Sequence, residues 1–537
     1  MSRAAFFGVL LSVAPLLTVA QAQQLAPLPP ALPRTHTPQP TTPAITASDL
    51  MTRLYIFADD SMMGRAVGSR GNAKGTTYIA AEVRRMGLQP AGDSGTYFQN
   101  LPGYPSVVTE ASMRLGNSSL ALAQDFLPIG PHGLTNRALT VVYGGRSDAP
   151  GSLSAQQAAG KLVVFTVPTT TSVDSLLPIP QVAGAAAVAL VALDAITPVT
   201  RARILNRNLA LQQQPASPVI LLNTATAKRL FGKEVGALSV GTVGQPVAIA
   251  YTIAYSARNI VAILPGSDPA LRHEYIAMGA HNDHIGWRLV SIGDHDSLRA
   301  FTHYASIEGA RTGGNEVTPT PEQMDSINAA IARLRRINPP RRDSIFNGAD
   351  DDGSGTVSLL EIAEHLAAMP VKPKRSILFV WHTGEEAGLL GSQWFTDHPT
   401  VPLDSIVTQL NIDMIGRGNA SDIPDGNPDY LFAVGSRMMS TELGDLIERV
   451  NIEDHHGLAI HNTEDGYRNS DHYMYAQHGI PITFFKTGRH SDYHQVTDEP
   501  QYIDYKKMAR IASFLGDVAV HVADLDHRLV VDHPNGQ

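Results

Sequence analysis

The chain has 537 residues, 17% of them charged and 43% apolar, with a formal net charge of −9. That length allows two or three domains, the composition is that of a soluble globular protein, and the acidic balance argues against nucleic acid, whose phosphates need a basic face. There is no cysteine, which excludes disulfides, a lipid on an N-terminal cysteine and every thiolate zinc design, so a metal must be held by His, Asp and Glu.

The first residues, MSRAAFFGVLLSVAPLLTVAQAQQ, place Arg3 before an apolar run from Ala4 to Ala20, and Ala20-Gln21-Ala22 supplies the small residues of a cleavage site. This predicts a signal peptide at 1–22 cut after Ala22, and hence export to a periplasm or the medium. A membrane anchor is the rival reading, but the run is short for a span and contains Pro15, so no stable anchor is expected. Residues 23–44 are rich in Pro and Thr and read as an extended linker. From Ile45 the pattern is helical, and TTYIAAEVRRMG at 76–87 predicts a helix with Gly87 near its C-terminal cap.

Residues 111–249 differ in texture. Short β-branched runs such as ALTVVYG, KLVVFTV and SPVILLN alternate with Gly, Ser and Pro turns, which predicts a separate small β-rich unit. The Ala-rich run VAGAAAVALVAL at 182–193 is too short to cross a membrane and reads as a buried helix leading into a strand.

After Tyr251 the texture is α/β. Apolar strands are expected at NIVAILP (259–265), EYIAMGAH (274–281), SILFVWH (376–382), SIVTQLNID (405–413), YLFAV (430–434) and ITFFK (482–486), with helices between them such as TVSLLEIAEHLAAM at 356–369. Continuous apolar strands alternating with helices imply a mostly parallel central sheet flanked by helices. Residues 288–345 break this rhythm. They carry a helical segment at 321–337 and then Pro339-Pro340, and read as an insertion beside the site, either a lid or a surface decoration.

In parallel α/β sheets, chemistry collects beyond the carboxyl ends of the strands. Here the strands run into His281, Asp283 and His284, into Glu385 and Glu386, into Asp413, and into Asp492, Tyr493 and His494. The stretch NGADDDGSGTVSLLE adds Asp350, Asp351 and Asp352. Taken alone, that stretch resembles a calcium loop ending at Glu361. However, RRDSIFNGA before it has no helical stripe, and Pro339-Pro340 interrupts the preceding helix. Histidines and carboxylates at corresponding strand ends instead point to a binuclear metal site. Two divalent ions bring +4, and three carboxylates with one hydroxide bring −4, so the cluster avoids a large desolvation penalty.

The stretches ARNIVAILPGSDP, GAHNDHIG, NGADDDGSG, GEEAGLLGS, LNIDMIGR and DYHQVTDEP, in this order, resemble the secreted dizinc aminopeptidases, zinc-dependent exopeptidases with a cocatalytic zinc pair. The resemblance implies a catalytic domain from 45–110 and 250–525, with a protease-associated-like insert between them. It implies two zinc ions. One is held by His281, Asp413 and a shared Asp351, and the other by Glu386, His494 and the same Asp351. By the same resemblance Glu385 is the general base, Asp283 orients His281, and Tyr493 hydrogen-bonds the tetrahedral intermediate. One departure is Asp352, where the family usually has Asn; the extra charge could unbalance the cluster or bind a further cation. The other is the long 288–345 insertion between His281 and Asp351.

The function implied is hydrolysis at the free N-terminus of peptides or proteins. A carboxypeptidase or dipeptidase on the same dizinc core is the alternative, and a non-catalytic binding relative is the contrasting class. The preferred side chain and the oligomeric state are not written in these motifs.

Overall fold

A computed structural model of the chain describes residues 31–104, 106–150, 153–168, 179–207, 216–288, 293–305, 318–337, 339–418 and 426–533. The expected signal peptide lies outside the described residues. Among these, no helix is long and apolar enough to cross a membrane.

The larger sheet is built from β1 (Gln89–Pro90), β2 (Phe98–Asn100), β3 (Arg258–Leu264), β4 (Tyr275–His281), β5 (Ser376–His382), β6 (Ile406–Ile412), β7 (Tyr430–Val434), β8 (Ala459–Thr463) and β9 (Ile482–Lys486). Its order is β1-β3-β5-β4-β6-β9-β7-β8, with β2 also on β3. The central strands β5, β4, β6 and β9 are mutually parallel, while β3 and β7 run antiparallel to them. The four parallel strands therefore all end at one edge.

Both faces of the sheet are covered, which is why its strands are apolar at nearly every position. Ile276, Met278 and Ala280 of β4, with Ile377, Phe379 and Trp381 of β5, pack against helices Ala47–Phe57, Gly355–Ala368 and Tyr505–Ala523. Their neighbours Ala277, Leu378 and Val380 face the other way, towards Phe395 and Tyr475. The alternation follows from the period of two along a strand.

The predicted N-terminal helix is Arg70–Arg85, begun by Ser69 as N-cap and followed by Gly87 at φ +77. Strand β8 is an addition to the expected strands. Its residues AIHNT carry no apolar run, because it lies at the sheet edge and is only half-buried.

Between β2 and β3 the chain forms a six-stranded and a four-stranded sheet. They share a core that includes Val108, Met113, Leu162, Val164 and Ile220. The long pair Ser106–Leu115 with Val247–Tyr255 closes this unit, a few residues outside the expected 111–249. The Ala-rich run is not a helix: 182–186 are turn and irregular backbone, and Ala187–Val191 is a buried parallel strand. Gly184 at φ +81 stops a helix there, and five apolar residues between two parallel neighbours favour the extended form.

The 288–345 insertion contains helices His295–Ala305 and Pro321–Leu334, packed on one another through Ala300, Ile327 and Ala330. It is pinned to the segment before the last helix. His295 Nε2 lies 2.9 Å from Glu499, Arg341 lies 2.6 Å from Glu499, and the Arg299 guanidinium lies 3.6 Å from the Tyr502 ring centroid.

Candidate metal centre

Each donor reaches the centre from the carboxyl edge of the sheet. His281 is the last residue of β4; its N–H donates to Asp352 and its carbonyl accepts from Thr356 Oγ1 at 2.6 Å. Asp351 sits in the turn between Gly348 and helix Gly355–Ala368, and the N–H groups of Asp350 and Asp351 donate to Asp498. Glu385 and Glu386 follow β5 in a turn whose Glu385 N–H donates to the Asp283 carboxylate at 3.1 Å. Asp413 follows β6 and accepts a 2.7 Å hydrogen bond from Ser470, which accepts in turn from Asn411. His494 lies after β9 at φ +56, beside an Asp492 carboxylate held by Arg417 at 2.6 Å and Thr497 at 2.6 Å.

The structure brings the predicted residues into two groups that share Asp351. His281, Asp351 and Asp413 offer one set of ligand atoms, and His284, Asp351, Glu386 and His494 offer the other. His281 Nε2 is 3.2 Å from Asp351 Oδ1 and 3.7 Å from Asp413 Oδ1. His494 Nε2 is 3.0 Å from Asp351 Oδ2 and 3.2 Å from Glu386 Oε2. Glu385 stands at the rim, with Oε2 3.9 Å from His281 Nε2.

These atoms are close but do not hydrogen-bond one another. His281 Nε2, Asp351 Oδ2, Glu386 Oε1, Asp413 Oδ1 and His494 Nε2 are all buried without a hydrogen-bond partner. Buried polar atoms are almost always paired. Hydrogen-bond distances without hydrogen-bond direction are what lone pairs aimed at a common third atom produce. The donor set therefore fits a pair of divalent cations, and nitrogen and oxygen donors without sulfur suit zinc.

The ring of His281 is set by its other nitrogen. Nδ1 lies 3.1 Å from the Asp283 carbonyl, an acceptor only, so Nδ1 carries the proton and Nε2 presents a lone pair. The Asp283 carboxylate is farther, at 3.7 Å. Asp283 thus contacts His281 chiefly through its backbone, while its side chain holds the Glu385 turn.

The electrostatics follow from burial. Burial opposes ionisation of Asp351, but His281 and His494 outweigh it and hold the carboxyl well below the usual range. Burial, joined by the Asp413, Asp471 and Glu386 carboxylates, pushes Glu385 well above that range. Burial, with Asp351 and Glu386 nearby, likewise raises the Tyr493 phenol, so it stays a donor; its ring stacks on His494 at 3.9 Å.

Asp350 and Asp352 stand outside the ligand groups. Asp352 accepts from the N–H of His281, Gly355 and Met414, so both its oxygens hold backbone, and it belongs to neither ligand group. Asp350 accepts from Gly416 and faces His490 at 3.1 Å. Glu361, the twelfth position of the calcium-loop pattern, is buried in an ion pair with Arg53. The resemblance to an EF-hand ends with that pair.

Two participants were missed by sequence reasoning. His284, quoted in the HNDH motif but given no role, places Nδ1 2.7 Å from Glu386. The signal was a second histidine three residues after the first. Ser470, which orients Asp413, is a hydroxyl far along the chain, and nothing in its sequence context marked it.

The family model of Peptidase family M28 matches residues 259–519. Leucine aminopeptidase 1 of Paracoccidioides brasiliensis (strain Pb03) is 32% identical over 225 residues, covering 40% of this chain and 54% of the relative. Leucine aminopeptidase 1 of Sclerotinia sclerotiorum is 32% identical over 185 residues, 34% of this chain and 44% of the relative. The chain thus spans about half the length of the curated relatives it matches. Among solved structures, a zinc aminopeptidase from Bacillus subtilis aligns with a TM-score of 0.42 at 15% identity, covering 89% of this chain and 95% of that one. An aminopeptidase from Aneurinibacillus sp. strain AM-1 aligns with a TM-score of 0.42 at 14% identity, covering 90% and 96%.

Proposed function

Residues 259–519 form a peptidase family M28 domain, and from that premise we propose that the protein is an exported metallopeptidase that removes residues from the free N-terminus of peptides. Two zinc ions would be held here, one by His281 and Asp413 and the other by Glu386 and His494, with Asp351 common to both sets. The observation that carries this reading is the set of buried, convergent and unpartnered donor atoms around Asp351. When bound, the zinc pair supplies Lewis acidity, which acidifies a water and draws charge from a substrate carbonyl.

The chain's own groups do the rest. Glu385 lies at the rim, and its raised proton affinity suits it to accept a proton from the attacking water and return it to the leaving amine. Tyr493 remains protonated and donates a hydrogen bond towards the developing oxyanion. Asp283, Ser470 and Asp492 keep the Glu385 turn, Asp413 and the His494 loop in place. The apolar N-terminal run Ala4 to Ala20 supports export, and the names of the curated relatives support action at an N-terminus.

The test uses the zinc-loaded protein and one peptide in free and N-acetylated forms, with products read by mass spectrometry. Stepwise loss from the free N-terminus, with the acetylated form untouched, is the expected result. Loss from the C-terminus of both forms transfers the activity to a carboxypeptidase. Glu385→Gln is expected to keep its zinc and lose at least about 100-fold in kcat; near-normal turnover removes Glu385 from the role of base.

A further inference from the structure

The first helix of the insertion reaches to within two residues of a metal donor. Helix His295–Ala305 turns His295 and Arg299, four residues apart, onto one face. Both are buried, against Glu499 and Tyr502. The Arg299 guanidinium lies over the Tyr502 ring, 3.6 Å from its centroid. A guanidinium on a ring face keeps N–H groups at its edge for an anion, and here Nε lies 3.5 Å from Asp492 Oδ2. Arg417 approaches the same oxygen at 2.6 Å, with its guanidinium 6.0 Å from the same ring. Two arginines, one from the insertion and one from the loop after Asp413, thus converge on one fully buried carboxylate.

Asp492 stands two residues before His494, which brings its ring to the centre from a left-handed backbone at φ +56. A residue other than glycine stays in that region only where its surroundings fix it, at a cost of about 1–3 kcal/mol. The fixing contacts run through Asp492. Thr497 Oγ1 donates to its Oδ1 at 2.6 Å, the Gln495 N–H donates to its carbonyl at 3.0 Å, and the arginines face Oδ2. Arg417 does not serve Asp492 alone. Its Nη1 also faces Asp498 at 4.0 Å, the carboxylate that accepts the Asp350 and Asp351 N–H groups. The neighbouring His490 accepts the Asp492 N–H on Nδ1 and turns Nε2 to Asp350 at 3.1 Å, so it is a neutral ring on this side. Arg299 supplies the second positive charge. Without it, one arginine is divided between two buried carboxylates.

We infer that Arg299 is a positioning residue for the metal donor His494, so that the insertion is part of the support of the second metal site. This rests on the dizinc reading above and names the residue through which the insertion reaches the centre.

The test measures zinc affinity of the full chain by chelator competition, which separates a first zinc from a second. Arg299→Met is expected to weaken one zinc at least about tenfold, the scale of a lost outer contact to a ligand, and to leave the other within about twofold. In a His494→Gln background the same substitution is expected to cost less than about twofold, because it acts through that ligand. Equal costs in both backgrounds overturn the positioning role, as does an unchanged affinity for both zincs in Arg299→Met. An equal loss in Arg341→Met also overturns it. That variant loosens the insertion from Glu499 without touching Asp492, so the effect would then belong to the attachment of the insertion as a whole. If the unsubstituted chain takes up fewer than two zincs, the dizinc reading fails, and amide exchange of 490–495 in the metal-free protein decides. Faster exchange in Arg299→Met than in Arg341→Met supports the anchoring of the His494 loop by Arg299, and equal rates overturn it.

Discussion

At the scale of single residues, three successive aspartates perform three different tasks. Asp350 and Asp352 accept backbone N–H groups and fix the shape of the turn, while Asp351 alone turns its oxygens to both histidine groups. In the dizinc reading, Asp351→Ala is therefore expected to lose both metals together, measured as metal per chain after dialysis; two retained zincs refute the bridging role. The turn also depends on Gly348 at φ +55, where a Cβ would lie 2.3 Å from the Asp351 carbonyl and 2.5 Å from the His284 ring. Gly348→Ala is expected to cost about 1–2 kcal/mol from the left-handed backbone alone. The clash adds to that by displacing Asp351, so weaker zinc retention is expected to accompany a lower Tm.

At the scale of elements, the insertion is tied down rather than loosely appended. Its two helices share a small core; His295 and Arg299 of the first helix, together with Arg341 at the insertion's far end, fasten it to Glu499 and Tyr502. Burial opposes protonation of His295, but Asp296 and Glu499 raise its proton affinity above the usual 6.5. Burial opposes ionisation of Glu499, but His295 and Arg341 lower it below the usual 4.5. The raised histidine adds stability that is complete below 6.5 and is lost as pH rises through its folded value. The lowered carboxylate adds stability that is complete above 4.5 and is lost as pH falls through its folded value. The clamp is accordingly strongest between those two reference values, and amide exchange in 295–305 is expected to be slowest there and to quicken above pH 7 after correction for intrinsic rates. A flat corrected profile shows that the clamp does not hold the helix.

At the scale of the whole molecule, the N-terminal segment must be joined to the larger α/β sheet, from which the β-rich unit separates it in sequence. Arg53 makes that joint. Its buried guanidinium pairs with Glu82 at 2.6 Å and also with Glu361 and Glu364, linking helices Ala47–Phe57, Arg70–Arg85 and Gly355–Ala368. Removing one partner of a buried ion network leaves uncompensated charge. Arg53→Met is expected to destabilise the protein by about 3–5 kcal/mol in urea unfolding. A change below about 1 kcal/mol shows that water reaches these carboxylates, as at a surface pair.

Much of this was legible in the chain. Apolar runs without alternation identified the buried strands, because a sheet covered on both faces hides every residue. Polar residues at the ends of those runs marked the site, because parallel strands deliver their carboxyl ends to one edge. The absence of thiols limited the metal donors to nitrogen and oxygen. Other features were decided only by the fold. The Ala-rich run is a strand because parallel neighbours flank it on both sides. Strand β8 exists because an edge needs few apolar residues. His284 and Ser470 gain their significance from Glu386 and Asp413, which the fold brings beside them. Sequence spacing encodes periodicity and local chemistry, whereas the pairing of groups hundreds of residues apart is set by the packing of strands and helices against one another.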